Sequence, residues 1–406
     1  MNTENVISKD KNILIVLLEN EKKSQELCDL IENFCGVVIE SPSQMQGDFT
    51  QKKIYACGDI SKIKDFKLDI PFLIIKEFSH HYEDFSQMKF VGIGNVPIVV
   101  CNAGVFFRHF FEDKSDYFNR IRSEHQFQDL TESTKPGMAF RKGIYLTEVL
   151  KEVTPQQNEV LHYRLLRCSS NFSGPTENFR DTDIEVMQAM NEAASYIFEK
   201  QTHLNHVLAQ IYENKKEENS KEKKAKIKAH SDKTKDMAPE GLIVFCTFYE
   251  KTNFQHLKPS ETDRFDWVLG KISGLTTLHF RLKDSVKDES LTKEFTVKLY
   301  PNSVFMIPLS TNRLYTHEIK PSILNIDKIP TRMGYVARCS NKEAVFMEDE
   351  VYIKENGELI KLQTMQYEGM AHLKETYRIE NVSEETVQYG KIDFSMNLGD
   401  YQKPIY

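Results

Sequence analysis

The chain is expected to be α+β, with an α/β stretch at its start and a β-rich second half. Three observations carry this. Short apolar runs alternate with helix-spaced segments over residues 13–100. One long helix-spaced stretch begins near residue 181. Beyond about 240, short strand-like segments follow one another with turn signals between them, a pattern that suggests a sandwich, barrel or jelly roll.

Taken in order, ILIVLLE (13–19) reads as a buried strand and KKSQELCDLIENF (22–34) as a helix. GVVIE, KKIYACG and PFLIIKE then read as further strands. No glycine-rich phosphate loop occurs there, so no nucleotide is assigned to residues 1–100. From about 101, GVFFRHFFEDKSDYFNRIRSEHQF suggests an aromatic strand or turn and then a helix. GIYLTEV and HYRLLRCSS suggest strands. The stretch DTDIEVMQAMNEAASYIFEKQTHLNHVLAQIYEN is the longest helical reading in the chain, with Thr182 or Asp183 as its cap. Residues 214–229 form a Lys/Glu run that reads as a solvated loop. Then come GLIVFCTFYE, TTLHFRLKD, EFTVKLYP, SVFMIPL, LYTHEIKP and RMGYVARCS, each a short strand. The expected divisions are an N-terminal α/β region at 1–100, a main domain at 101–350 with a core at 226–342, and a C-terminal extension at 351–406. No chemistry is legible in that extension or in the role of the first region.

Composition narrows the function classes. The formal net charge is −7, which does not advertise a polyanion ligand, although a local basic patch is compatible with it. The opening MNTENVISKDKN has no apolar segment or cleavage signal, and ILIVLL and GLIVFC are too short to span a bilayer. Seven cysteines without close pairing read as reduced thiols. A cytoplasmic protein with no membrane partner is expected, so the N-x-S at Asn171 is not expected to be glycosylated.

Within the β-rich half, three segments combine. His230-Ser231-Asp232 stands immediately before GLIVFCTFYE, and His317 lies just after SVFMIPL. Arg332 and Arg338 are six residues apart in RMGYVAR. Two histidines and one carboxylate are the facial set that holds non-haem Fe(II) and leaves coordination positions open. Residues i and i+6 of a strand share a face, so the two arginines point the same way, with Gly334 and Val336 between them. A guanidinium fork matches a dicarboxylic acid. His256, with Asp263 and Asp266 near it, is a rival metal pairing; His279 reads as a barrel-wall or substrate-side residue.

These residues resemble the AlkB-type Fe(II)/2-oxoglutarate dioxygenases. HSDKTKDMAPEGLIVFCTFYE is similar to that family's first ligand pair and following strand. LYPNSVFMIPLSTNRLYTHEIKP is similar to the segment ending in its second ligating histidine, and RMGYVAR to its R-x5-R strand. The resemblance covers about 230–340 and departs from the family in two places. Residues 251–273 form an insertion, and QIYENKKEE offers Tyr212 with Gln210 where Asn is expected.

What the resemblance implies is a double-stranded β-helix (jelly-roll) core with flanking helices. It also implies Fe(II) on His230, Asp232 and His317, with 2-oxoglutarate as cosubstrate and dioxygen as oxidant. Arg332 would take the distal carboxylate, Arg338 would sit at the cosubstrate end, and Tyr212 would assist. The implied reaction is hydroxylation of a C–H bond, most directly oxidative demethylation of a nucleic-acid base, with Phe280, Tyr315 and VFFRHFF as stacking faces and the Lys-rich 215–235 segment as a phosphate arm. A protein side chain or small metabolite is the alternative substrate, and a barrel scaffold without turnover the alternative class. The loops at 167–183 and 130–146 are expected to be either surface loops or covers of the site.

Overall fold

Residues 4–18, 23–44, 48–66, 71–81, 88–131, 138–153, 155, 159–168, 172–200, 202–216 and 222–406 are described in a computed structural model. Asn171, part of the 167–183 loop, part of the 130–146 loop and the middle of the Lys/Glu run lie outside them.

The first ninety residues build a parallel five-stranded sheet. Its order is Val37–Ile39, Asn12–Leu17, Lys53–Asp59, Phe72–His80, Met88–Val91. Every residue of Asn12–Leu17 is buried, as a parallel strand covered on both faces requires. Alternation divides it: Ile13 and Ile15 join Ile54, Ala56 and Ile74 on one face. Leu14 and Val16 join Leu27, Leu30 and Tyr55 on the other. Leu27 and Leu30 come from the Gln25–Asn33 helix, whose start is capped by Ser24 Oγ accepting from Leu27 N at 3.3 Å.

The second half is built on a nine-stranded sheet. Its central strands, in order, are Met138–Thr147, His206–Tyr212, Arg332–Arg338, Leu242–Tyr249, Ser303–Pro308 and Gly104–Phe107, paired antiparallel throughout. Three of these six come from upstream of residue 226. A four-stranded sheet, ordered Ile227–His230, Tyr315–Lys320, Thr277–Leu282, Glu294–Lys298, lies against it. Between them sits an apolar layer that includes Phe245, Phe305 and Ile307 from the large sheet and Leu278, Phe280, Phe295 and Ile319 from the small one. The opposite face of the large sheet packs on the Asp181–Ile197 helix through Val186, Met187 and Met190. The chain is thus sheet-rich with helices, as expected. Among the described residues no helix is long and apolar enough to cross a membrane.

One expectation fails here. The helix read over 181–214 stops at Ile197, and HVLAQIY is a strand. Asn191 fixes the reversal, donating to Leu204 O at 3.0 Å and accepting from Leu204 N at 2.7 Å. Val207, Ala209 and Ile211 alternate with Leu208, Gln210 and Tyr212, and pairing with two distant strands overrides local helix spacing. The N-cap is Arg180, neither Thr182 nor Asp183; Asp183 sits at the third helical position and reaches back, its Oδ2 accepting from Arg180 N at 2.8 Å.

Asp183 also anchors a buried ionic strut. His125 Nε2 lies 2.7 Å from Asp183 Oδ2 and its Nδ1 2.9 Å from Glu177 Oε2, with no exposed imidazole surface. Burial disfavours the imidazolium, but the two carboxylates outweigh it and push His125 up to about 9. Because the folded value exceeds the unfolded one, the stabilisation is complete below about pH 6.5. It disappears as pH rises through the folded value, a loss of roughly 3 kcal/mol. Urea midpoints should fall across that window in the wild type and stay flat in His125→Gln; equal slopes would refute the strut.

Candidate metal centre

His230 ends the edge strand Ile227–His230 and is the register partner of His317 in the adjacent Tyr315–Lys320 strand. Pairing across one ladder brings residues 87 positions apart to ring centroids 4.5 Å apart. Asp232 sits just past the strand end, where the chain is pinned from two sides. Asn312 Oδ1 accepts from Asp232 N at 2.7 Å and its Nδ2 donates to Asp232 O at 2.8 Å. Ser231 N donates to Asn381 Oδ1 at 2.7 Å.

The Asp232 carboxylate is divided between two tasks. Its Oδ2 accepts from Arg338 Nε and Nη2 at 2.8 and 2.6 Å. Its Oδ1 faces His230 Nε2 at 3.5 Å and His317 Nε2 at 3.8 Å. One ligand atom from each residue therefore falls in a cluster no wider than 4.8 Å. Ligands at right angles around a shared ion are separated by about 3 Å, so a small contraction closes the set. His230 Nδ1 donates to Lys228 O at 2.9 Å, which fixes the tautomer that leaves Nε2 as a free lone pair.

Electrostatics put these groups in ligand-ready states. Burial, reinforced by His230, pushes His317 down to about 3, so its imidazole is neutral at working pH. Burial also opposes ionisation of Asp232, but the Arg338 charge overcomes it and holds the carboxyl well below its usual range. Neutral imidazole and ionised carboxylate are what metal coordination requires.

A cavity of about 490 Å³ joins this cluster to Arg332, Gly334, Thr247 and Tyr212. Arg332 is 3% exposed, and its guanidinium lies 3.9 Å from the centroid of the Tyr212 ring. Neither its Nε nor its Nη2 has a hydrogen-bond partner, and Thr247 Oγ1 is likewise buried and unpaired. A buried guanidinium with open donors is costly, and an anionic ligand is what would satisfy it. Gly334 makes room for it: a Cβ there would lie 3.0 Å from Arg332 Nη1 and 3.4 Å from Tyr212 Cε2.

The structure therefore brings His230, Asp232 and His317 together at one end of a cavity and places Arg332 and Tyr212 farther along it. Arg338 differs from expectation. Its Nε and Nη2 are taken by Asp232, so it stands behind a ligand and is not a free clamp for a cosubstrate. The rival pairing does not form. Asp266 is held by Lys298 and Ser273, Asp263 accepts from Tyr300, and His256 is exposed. His279 bonds Thr296 Oγ1 and does not line the cavity. The proposed stacking faces Phe280, Tyr315, Phe106 and Phe107 are core residues. Sequence reading also missed Thr247, Asn312 and Asn381. Thr247 alone left a signal, as the only aliphatic hydroxyl in LIVFCTFY.

No family model and no curated protein matches the chain. Among solved structures it is similar to "The structure of OsALKBH1", at 12% identity and TM-score 0.33, over 58% of this chain and 96% of that one. It is also similar to "Selenomethionine labeled Fe(II)/(alpha)ketoglutarate-dependent dioxygenase TqaL", at 7% identity and TM-score 0.26, over 64% of this chain and 82% of that one.

Proposed function

We propose that the protein is an Fe(II)- and 2-oxoglutarate-dependent dioxygenase, with His230, Asp232 and His317 as metal ligands and Arg332 as the seat of the cosubstrate's distal carboxylate. The observation that carries this is one cavity holding both a histidine/carboxylate cluster and a buried guanidinium with open donors. On this reading the two facing sheets are the halves of a double-stranded β-helix. The bound ion would couple decarboxylation of 2-oxoglutarate to succinate with insertion of one oxygen atom of O2 into a substrate C–H bond.

The residues supply geometry and charge. Arg338 keeps Asp232 ionised and turns its Oδ1 toward the histidines. Arg332 and Thr247 offer three open hydrogen-bonding groups to a carboxylate, and the Tyr212 ring fixes the plane of the fork. Phe245, Leu208, Leu299 and Val336 complete an apolar wall that limits water around the reacting centre.

For the substrate, the cavity also touches Arg141, Lys226, Lys228 and Lys233. Lys228, on the edge strand that carries His230, and Lys226, just before it, are exposed. Four cations beside one mouth in a chain of net charge −7 favour a phosphate-bearing substrate, and we read it as a modified base of nucleic acid undergoing oxidative dealkylation. An N-methyl group hydroxylated here would leave as formaldehyde.

Purified protein given Fe(II), ascorbate and 2-oxoglutarate should form succinate, and methylated single-stranded oligonucleotides should stimulate it in a salt-sensitive way. Absence of both bound iron and succinate would refute the enzyme and leave a scaffold. Turnover indifferent to every oligonucleotide would refute the nucleic-acid reading in favour of a protein side chain or small anion.

A further inference from the structure

We infer that the N-terminal sheet carries a separate divalent-metal site, formed by Asp59, His80 and His81 and suited to a Zn(II)-class ion. Their ligand atoms lie within 4.8 Å of one another. Asp59 ends the Lys53–Asp59 strand and His80 ends Phe72–His80, so the group sits at the carboxyl edge of parallel strands. That edge is where open α/β sheets place their ligands.

Two departures from regular backbone assemble the cluster. The ladder pairs Ala56 with Ile74, then Gly58 with Ser79 and Asp59 with His80. Five residues of one strand thus advance against two of the other. Continued in register, the ladder would have set Glu77 opposite Asp59; the bulge replaces that carboxylate by an imidazole. Glu77 instead accepts from Ile93 N at 3.0 Å. Gly58, at φ +98°, permits the close approach of the central strands, because a Cβ there would lie 2.4 Å from Leu17 O.

The second departure is at His81. Consecutive side chains of a strand diverge, but His81 has φ +55° and turns back, so its ring meets that of His80 at 4.6 Å. His81 Nδ1 lies 3.4 Å from Asp59 Oδ1. Two ligands about 2.0–2.2 Å from a tetrahedral ion are separated by roughly that distance. Ser61 fixes the carboxylate, donating to the same Asp59 Oδ1 from N at 3.2 Å and from Oγ at 2.7 Å. Lys62 Nζ, 3.8 Å from Oδ2, is the nearby cation that an ion would displace or tolerate. Two imidazoles and one carboxylate select Zn(II)-class ions over Mg(II) or Ca(II). The 71% exposure of the His81 side chain leaves the remaining position to water.

The test uses the full chain carrying His230→Ala and His317→Ala, so that the first centre contributes nothing and the outcome is independent of the proposed oxygenase activity. Equilibrium dialysis against Zn(II) near neutral pH should find one ion per chain. Adding His81→Ala or Asp59→Asn should weaken retention at least about tenfold, with circular dichroism unchanged. No zinc in the double-alanine background would overturn the inference, as would retention equally tight after the His81 and Asp59 changes.

Discussion

Replacing Asp232 by alanine should abolish substrate-stimulated succinate formation and also weaken the fold. The first effect follows from loss of one of the three proposed ligands and the only anionic one. The second follows from Arg338, which is 4% exposed and has Nε and Nη2 committed to the lost carboxylate. Removing one partner of a buried pair leaves an uncompensated charge and costs about 3–5 kcal/mol. A free energy of urea unfolding lowered by that amount is the expected readout. Pairing the change with Arg338→Met should recover most of the stability and none of the turnover. The sign with pH is equally specific. Asp232 has a depressed folded pKa, so its contribution is present above the ordinary carboxylate range and vanishes only as pH falls through the folded value. Undiminished turnover in Asp232→Ala would remove the metal assignment altogether.

The two halves of this site were not equally legible in the sequence. His230, Asp232 and His317 could be paired before any coordinates only through their resemblance to the AlkB-type ligand segments; the Ile227–His230 strand that carries His230 lies in a run that reads as a solvated loop. The R-x5-R spacing likewise placed Arg332 and Arg338 on one face, and both line the cavity. Spacing alone could not show that one arginine faces a carboxylate of its own chain while the other faces none. That difference is set by Asp232 lying past a strand end, where period-two reasoning no longer applies. The C-terminal extension was illegible for a related reason. Its Tyr367–Val382 helix reaches the ligand turn through Asn381 on Ser231 N and Glu380 on Thr234 N, contacts across about 150 residues with no motif to announce them. HVLAQIY misled because helical and strand patterns overlap in a short apolar run, and only its two sheet partners decide between them.

Arg332→Met should raise the KM for 2-oxoglutarate by two to three orders of magnitude while leaving the ligand-free protein as stable as the wild type or more so. The two halves of this expectation have one cause. In the absence of ligand the guanidinium keeps Nε and Nη2 unpaired in a buried site, so methionine of similar length removes a desolvated charge and fills the same space over Tyr212. With a carboxylate bound those donors are satisfied, and truncating one partner of such a pair costs about 2–5 kcal/mol. Arg332→Lys keeps the charge without the fork and should recover part of the affinity only. Gly334→Ala leaves the arginine in place but sets a methyl 3.0 Å from its Nη1, so a smaller KM increase is expected. Thermal melts separate this from a structural role. 2-Oxoglutarate should raise the wild-type Tm and leave that of Arg332→Met unmoved. A structural arginine would give the reverse: a lower Tm without ligand and an unchanged KM.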